Sequence, residues 1–198
     1  MIARASLWSM AIATTATERV ELHRWTRQDY HRMAVAALLR PDERTELVDG
    51  VIYTMSPHGA YHAMALLAVL EALRPLFPDL VLRPQLPLAL GESSEPQPDI
   101  AVVAGDYRSY RKEHPTTALL VVEVADSSLR HDRLRKLPLY ARAGVPDSWI
   151  LDLAGEALEV YRDPAGGTYR ARTVLRKGDR ISPLSCPDAD LAVADLLP

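Results

Sequence analysis

The stretch from Ala118 to Ala125, ALLVVEVA, decides how the rest of the chain is interpreted. It is apolar except for Glu123, and its length and branched residues predict a strand that is buried on both faces. Side chains alternate along a strand, so Glu123 shares one face with Val121. A carboxylate in such a place loses its water, which costs several kcal/mol unless a positive group pairs with it.

A second acidic residue, Asp99, begins another apolar run, PDIAVV over residues 98–103. Two buried carboxylates repel each other unless a cation lies between them, so Asp99 and Glu123 together predict a divalent metal site. Each residue also has a simpler explanation. Pro-Asp before a strand is common turn chemistry, and a buried Glu can pair with an Arg or accept a backbone hydrogen bond.

Length and composition limit the classes of protein. The chain has 198 residues, 48% of them apolar, which suits one domain with a real core. Its single cysteine, Cys186, excludes an internal disulfide framework and a cysteine zinc site, and fits a reducing cytoplasm. A net charge of -3 argues against a chain coated in basic residues, although a local basic patch can still bind nucleic acid. No apolar run reaches about 18 residues, so no membrane-spanning helix is expected.

The N-terminus is open to two interpretations. Residues 1–16 contain Arg4 and a mildly apolar stretch, which imitates a signal peptide weakly because Ser6 and Ser9 interrupt its core. We expect instead a flexible extension over residues 1–17 and a cytoplasmic location. Residues 18–198 are then expected to form one α/β or α+β domain.

Turn and capping signals divide the first half of the chain. Thr26-Arg-Gln-Asp29 resembles a capping box and predicts a helix to about residue 39. Asp49-Gly50 between two apolar runs predicts a hairpin over residues 46–53, because both turn residues need positive φ. The other predicted elements are an edge strand at 18–23, a helix at 60–77 that Pro75 and Pro78 end, and an edge strand at 81–90 that contains Pro84 and Pro87.

The second half begins with the strand at 118–125. A helix should follow it from a cap within Asp126-Ser-Ser128 to about Ala143, because Gly144 is typical of a helix end. The remaining predicted elements are a strand at 148–153 and a hairpin with strands at 158–161 and 168–175.

The helix after Glu123 carries Asp132, Lys136 and Tyr140 at intervals of four residues, so the three side chains share one face. Lys136 could reach back to the strand's carboxylates from this face. The alternative is an ordinary solvated pair between Asp132 and Lys136. Pro138 removes a backbone hydrogen bond and is expected to kink the helix, which could turn Tyr140 away from Lys136.

Two further residues are candidates for the same site. Glu46, on the first strand of the predicted hairpin, could add a third carboxylate or be an exposed strand charge. His62 lies on the apolar face of the second helix, where a satisfied core histidine is as common as a functional one. No phosphate-binding loop, nucleophile elbow or zinc-protease helix occurs in the sequence.

The order of these residues resembles the restriction-endonuclease-like family of nucleases, a branch of the PD-(D/E)XK superfamily. The resemblance extends over about residues 20 to 195. An ordered set of motifs carries it: Glu46-Leu-Val-Asp-Gly50, His62, Pro98-Asp99, Val122-Glu123-Val124, Asp132-x3-Lys136-x3-Tyr140, Ala143-Gly144-Val145-Pro146 and Trp149-Ile150.

The resemblance implies a restriction-endonuclease-like core, in which helices flank a central mixed β-sheet. It also implies that Asp99 and Glu123 bind Mg²⁺ or Mn²⁺, with Glu46 nearby. The superfamily's usual lysine lies two residues after the glutamate, where this chain has Ala125. The resemblance therefore implies that Lys136 on the following helix takes the role of that lysine. The remaining candidates would support the site or contact the phosphate: His62, Asp132 and Tyr140.

The implied function is metal-dependent hydrolysis of phosphodiester bonds by a DNA endonuclease, which we expect to act as a homodimer. A basic rim could contact the DNA backbone, formed by Arg108, Arg111, Lys112, Arg130, Arg133 and Arg135. The alternative is a non-catalytic nucleic-acid- or protein-binding module on the same fold. A third hypothesis is a carboxylate-pair hydrolase acting on sugars. It is weaker, because such an enzyme is expected to have an aromatic-rich cleft and aromatic residues make up only 6% of the chain.

Overall fold

The computed structural model describes residues 21–40 and 42–197. The predicted N-terminal extension at 1–17 lies outside the described residues. The helices are α1 (Arg27–Val35), α2 (Ala60–Leu73), α3 (Leu129–His131) and α4 (Leu137–Arg142), with a π-helical segment at Asp132–Lys136 that joins α3 to α4. The strands are β1 (Thr45–Val48), β2 (Val51–Thr54), β3 (Val81–Pro84), β4 (Ile100–Val103), β5 (Leu120–Ala125), β6 (Asp147–Asp152), β7 (Ala157–Ala165), β8 (Thr168–Arg176), β9 (Arg180–Ile181) and β10 (Leu191–Ala192).

The centre of the structure is a six-stranded mixed sheet with the strand order β3-β4-β5-β6-β7-β8. The apolar stretch at 118–125 forms β5, which lies inside the sheet and is buried along its whole length. Strands β5 and β6 are parallel, and the other neighbours are antiparallel. Parallel neighbours need a long connection, and here α3, the π-helical segment and α4 form it.

Each face of the sheet has its own apolar layer, because side chains alternate along β5. Leu120, Val122 and Val124 join the core that packs against α2 and the C-terminal 3₁₀ turn at Val193–Asp195. Val121 faces the opposite layer, which includes residues of α4. Helices therefore flank a central mixed sheet, and the predicted fold class is confirmed.

The turns of two tight hairpins lie where the sequence predicts them. Asp49 and Gly50 join β1 to β2 with φ values of 50° and 73°, as the Asp-Gly signal requires. A Cβ atom on Gly50 would lie 2.6 Å from Cβ of Arg24, so this position also needs glycine for space. Gly166 and Gly167 join β7 to β8, and both strands run longer than predicted.

The end of α4 is a complete Schellman motif. Gly144 has a φ of 73°, its N–H donates to the carbonyl of Ala141, and the N–H of Val145 donates to the carbonyl of Tyr140. These bonds satisfy carbonyl groups that the helix end would otherwise leave without partners. The prediction that Gly144 ends this helix is confirmed by the positive φ and the two bonds.

Several predicted elements are shorter in the structure. The capping box at Thr26 and Asp29 is present, but α1 ends at Val35 instead of residue 39, and Ala37 has a φ of 54° that a helix cannot contain. Strand β3 is at the edge of the sheet as predicted, yet it stops at Pro84 because Gln85 has a φ of 50°.

Two other boundaries also differ. Helix α2 ends at Leu73, before the predicted end at residue 77. It passes into a 3₁₀ turn at Arg74–Leu76 that contains Pro75. Of the predicted edge strand at 18–23, residues 18–20 lie outside the described residues and residues 21–23 are not a strand. Among the described residues, no helix has the length and apolar character needed to cross a membrane.

A buried carboxylate on β7 joins the crossover helix to the sheet. Glu159 accepts hydrogen bonds from Arg133 of the π-helical segment, from Arg172 on β8 (2.8 Å) and from the Tyr161 hydroxyl (2.6 Å). Burial raises the pKa of Glu159, but these three donors outweigh burial and lower it to about 2. The charged form of Glu159 therefore stabilises the packing of the helix on the sheet.

Replacement of Gly144 tests the helix end. A Cβ atom there meets nothing within 4 Å, so Gly144→Ala should cost only backbone strain. We expect the free energy of unfolding to fall by about 1 kcal/mol in chemical denaturation. Gly144→Asn is the control, because asparagine tolerates positive φ and should cost less. Equal losses in the two variants would contradict this explanation.

Acid titration tests Glu159. Its pKa is lowered on folding from 4.5 to about 2, so its contribution is complete above the unfolded pKa and is lost as the pH falls through the folded one. Its arginine partners are partly exposed, so we expect Glu159→Gln to cost only about 1–3 kcal/mol at pH 6. The difference from wild type should shrink between pH 4.5 and about 2 in denaturation experiments.

The control is Glu156→Gln, because Glu156 pairs with Lys177 at the surface. It should change stability little at any pH. A Glu159→Gln variant as stable as the Glu156→Gln variant at pH 6 would contradict the stabilising role of Glu159.

Candidate active site

A cleft of about 260 Å³ lies beside the end of β5. The hairpin β1–β2, the loop before α2, the start of α2 and the crossover helix contribute its walls. Six of the seven predicted site residues line it: Glu46, His62, Asp99, Glu123, Asp132 and Lys136. The seventh, Tyr140, is buried behind Glu123. The structure therefore brings all seven side chains to one place, and their roles stay predictions.

Lys136 lies between two of the carboxylates. Its Nζ atom is 3.2 Å from Oε2 of Glu46 and 3.2 Å from Oε2 of Glu123. The side chain of Lys136 is only 6% exposed, so a solvated pair with Asp132 does not describe it. Ala125 packs in one apolar cluster with Leu137 of the following helix, and Lys136 reaches Glu123 from that helix. The expectation that Glu46 could be an exposed strand charge is wrong, because its carboxylate is buried.

The π-helical segment explains how Lys136 and Tyr140 reach the same carboxylate. Pro138 has no N–H group, and a regular helix would place its ring against a carbonyl of the preceding turn. The segment Asp132–Lys136 widens that turn, and Leu137 donates to the carbonyl of Asp132. The expected separation of Tyr140 from Lys136 does not occur, since the Tyr140 hydroxyl donates to Oε1 of Glu123. The widened turn thus extends from Asp132 to Lys136, two of the predicted site residues.

Asp99 is held by the backbone of the central strand. Its Oδ2 atom accepts a hydrogen bond of 2.8 Å from the N–H of Val124, next to Glu123 in the sequence. Its Oδ1 atom lies 3.1 Å from Nε2 of His62 and 3.3 Å from Nε2 of Gln85. A local turn does not account for Asp99, because each of these partners comes from a distant part of the chain.

Glu46 and Asp132 have partners that the sequence did not indicate. The N–H of Gln97 donates to Glu46 at 3.0 Å, and Nε2 of His131 lies 3.3 Å from its other oxygen. Asp132 accepts a hydrogen bond of 2.6 Å from the Ser128 hydroxyl.

Besides Ser128, four supporting residues were missed by the sequence reasoning. Gln97 and His131 are each close in sequence to a predicted residue, and this proximity was the available signal. Gln85 and His58 carry no such signal, because they reach the cleft through loop conformations that a local pattern does not encode. The positive φ of Gln85 is one such conformation.

Burial and neighbouring charges move the pKa values of the four carboxyl groups in the cleft in different directions. Burial raises the pKa of Glu123 well above its usual value, and burial also raises the pKa of Asp132. Burial would do the same to Glu46 and Asp99, but Lys136 and His62 lower the pKa of these two carboxyls below their usual values. The four carboxylates in turn raise the pKa of Lys136 against the effect of burial.

The donor set fits a divalent cation. Four buried carboxyl groups face one lysine ammonium, and burial keeps their oxygens from water. Carboxylate oxygens are the ligands that Mg²⁺ and Mn²⁺ use in proteins, and a bound cation would reverse the rise in the pKa of Glu123. Two imidazoles also lie next to Asp99, those of His58 and His62.

The residues of the predicted basic rim differ in whether their charges are paired. Arg133 is bound to Glu159 on the sheet, and Arg108 pairs with Asp106, so neither offers an unengaged charge. Four others are exposed: Arg111, Lys112, Arg130 and Arg135.

Comparisons with known proteins identify the family of this chain. The pattern of the Uma2 family, described as "Putative restriction endonuclease", matches residues 27–194. The chain belongs to this family, and the restriction-endonuclease-like resemblance is confirmed.

A solved structure supports the fold. It is described as a "putative nuclease belonging to DUF820" from Anabaena variabilis. Its sequence is 14% identical, and the match has a TM-score of 0.66 and covers 82% of this chain and 94% of that one. No curated protein matches the chain.

Removal of the lysine charge tests the electrostatics of the cleft. Lys136→Met leaves Glu46 and Glu123 buried without their cation, so we expect a loss of about 3 kcal/mol in unfolding free energy at neutral pH without divalent ions. The additional change Glu123→Gln should restore part of that loss, because it removes one of the two unpaired charges.

Lys112→Met is the control, because Lys112 is exposed. Chemical denaturation followed by circular dichroism measures all four proteins. A loss in Lys136→Met no larger than that in Lys112→Met would mean that the ammonium does not hold the two carboxylates.

Proposed function

We propose that this protein is a divalent-metal-dependent endonuclease that hydrolyses phosphodiester bonds in DNA. The observation that carries the proposal is the position of Lys136, whose amine lies 3.2 Å from Glu123 although it comes from the following helix. The superfamily pattern requires a lysine beside this glutamate, and Ala125 cannot supply it. The family description, "Putative restriction endonuclease", supports the same function.

Asp99 and Glu123 would hold the metal, because both carboxylates line the cleft and lie at adjacent strands of the sheet. When bound, Mg²⁺ or Mn²⁺ would polarise the scissile phosphate and lower the pKa of a water molecule. His62 positions Asp99 through its bond to Oδ1, and Tyr140 positions Glu123 through its hydroxyl.

Lys136 has the chemistry to act on the attacking water and on the phosphate. An ammonium group has three N–H donors, and the contacts with Glu46 and Glu123 use two of them. The third can donate to a water molecule or to a phosphate oxygen. Glu46 keeps Lys136 charged and in place, which makes Glu46 a positioning residue.

Binding to DNA would depend on the exposed basic residues near the crossover helix and on salt concentration. We propose a homodimer, since two copies of one site can cut both strands of a duplex. The proposal also includes a cytoplasmic location. A non-catalytic binding module on the same fold would not need a buried lysine between two carboxylates, so the position of Lys136 supports the nuclease.

Plasmid cleavage in Mg²⁺ or Mn²⁺ tests the proposal. Asp99→Asn and Glu123→Gln keep the size of each side chain but remove a charged ligand, and we expect each to lower the cleavage rate at least about 100-fold. Asp188→Asn is the control, because Asp188 is exposed in the C-terminal region and away from the cleft. Cleavage by both site variants at the rate of this control would reject the proposed site.

A further inference from the structure

Three potential metal ligands converge at one wall of the cleft. The donor atoms of His58, His62 and Asp99 all lie within 4.8 Å of one another. Nε2 of His62 is 3.1 Å from Oδ1 of Asp99, and the ring centroids of the two histidines are 4.1 Å apart. Two ligands at right angles, each about 2.1 Å from one ion, are about 3 Å from each other. The two atoms are joined by a hydrogen bond in this structure, and their separation would also suit ligation of a common ion that replaces the shared proton.

The hydrogen bonds of His58 indicate which of its two ring nitrogens accepts. Its Nε2 atom lies 3.0 Å from Nε2 of Gln85 and 2.6 Å from a guanidinium nitrogen of Arg44. A guanidinium has only donors, so His58 accepts at Nε2 and carries its proton on Nδ1. The neutral imidazole that results is the form that binds metal ions.

Gln85 holds the two ligand groups together. Its amide nitrogen contacts Asp99 Oδ1 at 3.3 Å as well as His58. The amide nitrogen and oxygen of glutamine exchange places by a flip of the group, so Gln85 can offer a carbonyl oxygen when a cation takes over these lone pairs.

We propose that His58, His62 and Asp99 bind one divalent transition-metal ion, and that His58 makes the cleft prefer Mn²⁺, Co²⁺ or Zn²⁺ over Mg²⁺. The inference rests on the proposed function in one respect, since it takes Asp99 as a metal ligand. Mg²⁺ selects oxygen ligands, whereas imidazole nitrogen suits the later divalent metals. A site made only of Asp99 and Glu123 would discriminate less, because oxygen ligands suit Mg²⁺.

Arg44 opposes the metal in this arrangement. Its positive guanidinium contacts the same nitrogen of His58 that the ion would use. Substitution of Arg44 should therefore tighten metal binding, and substitution of His58 should weaken it. These opposite effects distinguish a ligand role from a general disturbance of the loop.

Metal binding can be measured without any nuclease assay. The full chain is titrated with Co²⁺ and followed by visible absorption, which is sensitive to the ligands and geometry of the bound ion. Calorimetry gives the affinities for Mn²⁺, Co²⁺ and Mg²⁺. The proteins are wild type, His58→Ala, Arg44→Gln and His23→Gln. His23 is an exposed histidine whose ring meets that of Trp25 edge to face, and it serves as the matched control. Circular dichroism checks that each variant is folded.

We expect wild type to bind Co²⁺ at least about tenfold more tightly than Mg²⁺. His58→Ala should lose about tenfold or more in Co²⁺ affinity and leave Mg²⁺ affinity unchanged, Arg44→Gln should gain Co²⁺ affinity, and His23→Gln should match wild type. A folded His58→Ala variant with the Co²⁺ affinity and spectrum of wild type would overturn the inference.

Plasmid cleavage measured in parallel separates this inference from the proposed function. Cleavage by wild type together with Co²⁺ binding that is insensitive to His58→Ala would reject the histidine site and leave the nuclease standing. Co²⁺ binding that depends on His58, in a protein that cuts no nucleic acid, would uphold the histidine site and reject the nuclease.

Discussion

Lys136 lies between Glu46 of the β1–β2 hairpin and Glu123 of the central strand, and this double ion pair holds three parts of the fold together. Each group is buried, so the charge of each carboxylate depends on the ammonium, and the charge of the ammonium depends on the carboxylates. The hairpin packs on one layer of the sheet, the helix crosses over it, and β5 runs beneath both. The other polar side chains of the cleft surround this double ion pair.

The same ion pair leaves the cleft unbalanced in charge. Lys136 neutralises part of the negative charge, while Asp99 and Asp132 remain close by and burial raises the pKa of Glu123 and Asp132. Folding alone would not favour such an arrangement, because buried apolar residues of similar volume are often as stable. The cost in stability is understandable if the cleft exists to hold a cation and a phosphate.

Much of the fold could be predicted from local signals. β5 follows from an apolar run of strand length, the hairpin β1–β2 from Asp49-Gly50, and the end of α4 from Gly144. These signals work because they reflect constraints within a few residues of the chain. The early end of α1 and the positive φ of Gln85 have no comparable local cause.

The candidate site was predictable in its charged residues and less so in its supports. Buried carboxylates and a lysine in an ordered pattern are visible in sequence because burial of charge is costly. The π-helical segment was not foreseen, since Pro138 indicates that the helix must change without saying how. The partners of Glu46 and Asp99 depend on tertiary packing, so His131 and Gln85 were recognisable only in the structure.

Carrying the lysine on the crossover helix also has a consequence for folding. A lysine two residues after the glutamate would share its strand and would accompany it whenever that strand formed. In this chain the amine meets Glu123 only after the helix has packed across the sheet, and it meets Glu46 only when the first hairpin is also in place. In a newly synthesised or partly unfolded chain, the acidic groups therefore do not yet contact the amine of Lys136. Completion of the cleft is thus coupled to completion of the tertiary structure, so a nuclease of this design would become active only as a finished molecule.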